Sequence, residues 1–190
     1  MSEFEFVFAL FSLVFGLSLV ELLTGLGRTL EFRLQRQADG EPFRIGWLTP
    51  LLAVFVILDL LSFWMFAWPI QRLITVSTPM VLGVVVFSGA YFLASRLVFP
   101  SRPDDFVDLD THYFRVHRIV FAMLIMMVIV QWLFILSIPV LVNTAFRPIA
   151  LVLTGVLLAL MLATAVTRNR NISTALLTLL IARYLVIYLI

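Results

Sequence analysis

Glu21, Asp59 and Arg183 are ionisable side chains set inside long apolar stretches of a 190-residue chain. If those stretches cross a bilayer, each charge must find a partner or water, because an unpaired ion in hydrocarbon is heavily penalised. Counting about 1.5 Å per residue from the arginine-rich boundaries places Asp59 about 18 Å deep, Arg183 about 16 Å and Glu21 about 9 Å. Side chains lean toward the N-terminus of their own helix, which brings the three toward one another. Gln131, at about 18 Å by the same count, can donate to either carboxylate. Ser18 shares a helix face with Glu21, and Ser62 follows Asp59 by one turn. The six residues are therefore expected to form one buried polar cluster. Its chemistry is either a proton or cation path, with Glu21 and Asp59 accepting the charge and Arg183 tuning them, or a lock in which Arg183 neutralises one acid. Two acids against one base leave an acid over, which favours the path.

A second group lies outside the apolar stretches. Asp108, Asp110 and His112 alternate and His117 follows, a set of oxygen and imidazole groups that can ligate a divalent cation. The spacing matches neither His-x-x-x-His nor a calcium loop. The plainer expectation is that Asp108, Asp110 or Thr111 caps a helix entering the fourth stretch, with the histidines exposed. There is no Gly-x-Ser-x-Gly, no His-Glu-x-x-His and no Gly-rich phosphate loop, so no catalytic residue is assigned and the chain is expected not to be an enzyme. It has no cysteine, which removes disulfides, thiolate ligands and a cysteine nucleophile; all 13 basic residues are arginine, which removes lysine chemistry. No cofactor is expected.

The elements that must position these residues follow from composition. Hydrophobic residues make up 63% of the chain and the mean hydropathy is +1.12, far above a soluble domain. Six stretches of bilayer-crossing length are expected as helices at about 5–27, 47–69, 79–99, 119–141, 148–167 and 172–190 in one transmembrane domain, with a cytoplasmic connector over about 100–118. Nine arginines sit in the first, third and fifth gaps and a tenth, Arg96, at the helix end that enters the third, whereas Arg72 and Arg147 are alone in the second and fourth. Basic residues stay cytoplasmic during insertion, so the fold class is an all-α membrane protein, a six-transmembrane-helix bundle with the N-terminus and C-terminus both extracytoplasmic. Trp47 falls at the inner end of the second stretch and Trp64 and Trp68 at its outer end, as the headgroup preference of indole requires. Pro50, Pro69, Pro79, Pro139 and Pro148 all lie near stretch ends, where a missing N–H costs least. The first stretch lacks a basic leader and a small-residue cleavage site, so it is expected to be retained. The net charge of +2 reflects topological arginines, and no nucleic-acid partner is expected.

Helix faces can be assigned by spacing. On the first helix Ser18, Glu21, Gly25 and Arg28 share a face expected to point inward, while Phe4, Phe8, Phe11 and Phe15 form a stripe expected to face lipid. Gly155, Ala159, Ala163 and Thr167, and likewise Thr174, Thr178 and Ala182, are small residues spaced by about one turn, which suits close helix contact within the chain or with a second one. The partners implied are the lipid bilayer and either further copies of the chain, as a homo-oligomer, or a partner membrane subunit.

Residues 15–28 (Phe-Gly-Leu-Ser-Leu-Val-Glu-Leu-Leu-Thr-Gly-Leu-Gly-Arg), the 91–100 run ending in Phe99-Pro100, the Asp108-Leu109 pair and His112-Tyr113-Phe114 together resemble a group of small uncharacterised bacterial multi-pass membrane proteins. The resemblance implies a bacterial inner (cytoplasmic) membrane and carries no activity, cofactor or site residue. The chain is thus expected to be an integral membrane protein conducting or transporting protons or a small cation through buried carboxylates. The alternative is a non-catalytic accessory or assembly subunit of a larger membrane complex; a membrane enzyme using the 108–117 segment is the third class.

Overall fold

In the computed structural model, which describes residues 3–39, 43–68, 70, 76–102, 105, 106 and 108–189, the described chain is mostly helical, with an isolated β-bridge between Arg44 and Asp108. The helices are α1 (Glu3–Ala38), α2 (Leu48–Ala67), α3 (Thr78–Val98), α4 (Leu109–Leu136), the short α5 (Pro139–Ala145), α6 (Pro148–Val166) and α7 (Arg170–Leu189). All but α5 are long and apolar enough to cross a membrane, the architecture of a multi-pass integral membrane protein. Arg72, Pro69 and Ile190 lie outside the described residues, as does the side chain of Phe4.

Local sequence explains the boundaries, including those that differ from expectation. The first apolar stretch ends near Gly27, but α1 continues to Ala38 because Arg, Leu, Glu and Gln after it are good helix formers uninterrupted by proline. Arg36 also lies over the Phe32 ring one turn back, 5.0 Å from its centre. The fourth stretch was expected to run to 141, yet α4 stops at Leu136. Pro139 cannot continue it and instead opens α5. The second half of the 100–118 connector forms the expected helix entering the fourth stretch, the first turns of α4, and of the three candidate caps it is Asp108 whose side chain accepts from the Asp110 N–H at 2.9 Å. Ser77 caps α3, with Pro79 in its first turn, and Pro148 opens α6.

Packing runs α1 on α3, α3 on α4, α4 on α6, and α2 on α7, with α2 also against α4 and α3. The inward face of α1 is Val7, Phe11, Phe15, Ser18, Leu22, Gly25 and Thr29, a strict three-and-four spacing. Ser18 and Gly25 thus face inward as expected, but Phe11 and Phe15 do too. Their rings meet Phe87 and Tyr91 of α3, so the aromatic stripe is core rather than lipid surface. A bilayer is as apolar as leucine, and hydrophobicity alone cannot separate the two faces. Gly25 lets Phe99 close on α1, since a Cβ there would stand 2.6 Å from the Phe99 Cβ. The small-residue stripes behave oppositely. Gly155, Ala159 and Ala163 are exposed on α6, which packs through Leu157, Met161 and Thr164. Thr178 and Ala182 are exposed on α7, which packs through Ser173, Leu177, Leu180 and Tyr184. The stripes are therefore not the faces through which α6 and α7 bury their packing residues.

Candidate functional site

Asp59 lies in the middle of α2, fully buried. The phenol of Tyr91 on α3 donates to its Oδ2, and that of Tyr184 on α7 donates to its Oδ1 at 2.5 Å. One carboxyl group thereby ties three helices. Around it, Ser62 donates to the Asp59 backbone carbonyl at 2.6 Å, and Tyr188 donates to that of Leu58 at 2.8 Å. Phe15 and Phe63 pack edge-on against Tyr91, and Phe55 packs between Tyr184 and Phe121. Aromatic walls with two placed donors satisfy both carboxyl oxygens in a buried, low-dielectric setting, in which each hydrogen bond counts for more than in water.

The other members of the expected cluster go elsewhere. Glu21 pairs with Arg96 of α3, with Arg28 of its own helix 3.5 Å away on the same Oε1. Arg183 makes no direct ion pair with either acid. Its Nε and Nη2 donate to the Leu153 carbonyl of α6 at 3.2 and 3.0 Å, and its guanidinium lies 5.0 Å from the centre of the Tyr184 ring. The reason is the helix period: adjacent residues point about 100° apart, so with Tyr184 turned to Asp59, Arg183 must turn to α6. Ser18 donates to the Val14 carbonyl one turn back, and Ser62 reaches backbone rather than carboxyl. Gln131 lines an apolar cavity beside α1 and α3, about one and a half turns before α4 ends at Leu136, and so lies nearer that end of the bundle than the depth count placed it. The six residues thus fall into an Asp59 knot, a Glu21 ion pair and separate backbone contacts, and the acid left over by sequence arithmetic has two phenols instead of a base.

The 108–117 group is also structural in its contacts. Asp108 caps α4. Asp110 accepts from the Leu48 N–H at 3.2 Å, capping α2 from another helix, and its Oδ2 lies 2.7 Å from Arg170 Nη2 at the start of α7. Thr49 donates to the Leu109 carbonyl at 3.2 Å, and the Leu109 N–H to that of Arg44 at 3.0 Å. Gly46 sits at φ +65 against the Asp110 carboxyl, where any Cβ would collide. The histidines are not exposed. His112 Nε2 stands 3.1 Å from the Leu97 carbonyl with Phe106 across its ring, and His117 is fully buried with Nδ1 3.2 Å from the Tyr113 carbonyl. Among the described residues no three His, Asp or Glu side chains gather as a ligand set. Tyr113 Oη and Ser173 Oγ, both buried, face each other without closing an aligned hydrogen bond.

Sequence reasoning missed Tyr91, Tyr184 and Arg96. Tyrosine at mid-span was the available signal, since a buried phenol needs an acceptor and Asp59 is the nearest in depth. Compared with known proteins, the chain matches no family model, no curated protein and no solved structure.

Proposed function

We propose that this integral membrane protein is a non-catalytic accessory or assembly subunit of a larger membrane complex, and that its buried ionisable groups lock the bundle rather than carry ions. The observation that carries this is Asp59: both carboxyl oxygens are taken by phenols from two other helices. Glu21 has Arg96, and Arg183 has a helix carbonyl, so each ionisable group singled out at depth is engaged within the chain. The unused Gly155, Ala159 and Ala163 stripe of α6 supports a partner helix outside the chain, whether from a second copy or another subunit. The arginine distribution supports extracytoplasmic termini, and the family resemblance supports a bacterial inner membrane. Purification from the native membrane in mild detergent is expected to retain a stoichiometric membrane partner that Gly155→Leu with Ala159→Leu disperses, and a clean homo-oligomer counts against the proposal. A monomer unaffected by these changes contradicts the proposal.

One observation favours a second reading, proton passage through Asp59. The hydroxyls of Tyr91, Tyr184, Tyr188 and Ser62 surround that residue, and hydroxyls both give and accept protons. Under this reading Asp59→Asn abolishes a flux that the wild type displays.

A further inference from the structure

Far from the arginine-rich loops, the start of α1, the ends of α2 and α4 and the start of α3 enclose a half-open cavity of about 430 Å³. Its walls include Phe11, Phe63, Phe66, Phe87 and Phe134, and Gln131 is the one polar side chain among the described lining residues. Val7, Phe11 and Phe63 are buried, which makes this a recess between helices and not a bare helix face.

A space so lined takes hydrocarbon in preference to water, as an apolar cavity of about 150 Å³ lined by aliphatic and aromatic side chains takes up benzene. An empty one is penalised in proportion to its volume. A helix of a second copy is about 10–12 Å across and too thick to enter between these four helices. A methylene chain is thin enough. Phe8 of the wall packs on Trp64 and Trp68, 5.7 Å from each ring centre, and both indoles are exposed. Indoles settle at the headgroup boundary, so the recess begins where the ester linkages of a lipid lie and runs into the hydrocarbon. None of the described lining residues is charged, so the site takes the chain and leaves the phosphate outside. Gln131 offers a carboxamide N–H to a carbonyl.

We infer that this recess between α1, α2, α3 and α4 is a binding site for a single acyl chain of a membrane phospholipid, with Gln131 donating to its ester carbonyl. Gly83 provides the handle, since a Cβ there meets nothing within 4 Å and a larger side chain grows into the space.

The test uses the full chain in phosphatidylethanolamine and phosphatidylglycerol vesicles doped with a phospholipid bearing a photoreactive diazirine on its acyl chain. Adducts are expected to concentrate on Phe63, Phe66, Val84 and Phe87 over Leu162 and Val166 of exposed α6. Gly83→Phe is expected to lower the former about tenfold without changing the latter. Gln131→Leu is the second variant: the wild type is expected to prefer an ester-linked over an ether-linked probe, and the variant to lose that preference. Equal labelling of the recess and of α6, meaning ordinary lipid contact only, overturns the inference. So does labelling indifferent to both variants, or a recess cross-linked to a second copy in place of lipid.

Discussion

Tyr184 donates its phenol proton to Asp59 Oδ1 at 2.5 Å, joining the last helix of the bundle to the second across 125 positions of sequence. Opposite it, Tyr91 holds Oδ2 from the third helix, so the fold closes around one carboxyl group.

Removing one donor leaves a buried oxygen unpaired, and Tyr184→Phe or Tyr91→Phe is expected to cost about 1–3 kcal/mol. Thermal unfolding in detergent should show each as a lower Tm. The triple change Asp59→Leu, Tyr91→Phe, Tyr184→Phe removes donors and acceptor together and is expected to regain most of the loss. A triple variant weaker than the sum of its parts counts against a purely structural knot.

Glu21 and Arg96 are partly exposed, so their pair contributes less, about 0.2–1 kcal/mol. Glu21→Gln and Arg96→Ala should each lower Tm modestly and together no further. Additive losses in this double-mutant cycle would mean that the two side chains do not interact.

The glycines of α1 separate by their surroundings. Gly25→Ala drives a methyl into the Phe99 Cβ, which is fixed to backbone and cannot swing away, and is expected to lower Tm. Gly16→Ala meets nothing within 4 Å and is expected to raise stability by about 0.5–1 kcal/mol. Equal effects from the two would contradict the α1 and α3 packing.

Because the chain has no cysteine, single cysteines report topology without background. Cysteine at Gln37 or Asn169 is expected to react with impermeant maleimide only from the cytoplasmic side, and cysteine at Thr78 only from the opposite one. The reverse pattern would invert the orientation.

The six long helices were legible because length, apolarity and prolines act locally, and the cap at Asp108 likewise. The ionisable residues were legible as anomalies, but not their partners. Depth counting placed Asp59 and Arg183 together, yet depth is one coordinate of three, and the choice between Arg183 and its neighbour Tyr184 rests on how α7 is rotated. Rotation is set by packing. Hydrophobic pattern carries little of that information in a bilayer, which is why Phe11 and Phe15 went to the core and the Gly155 stripe to the outside.

Proton flux through reconstituted vesicles, followed with an entrapped pH dye under an imposed potential, bears most directly on Asp59 as a lock. The wild type is expected to leak no faster than protein-free vesicles, and Asp59→Asn to change only stability. A wild-type flux that Asp59→Asn abolishes would contradict the structural role and make the same carboxyl group the conducting site.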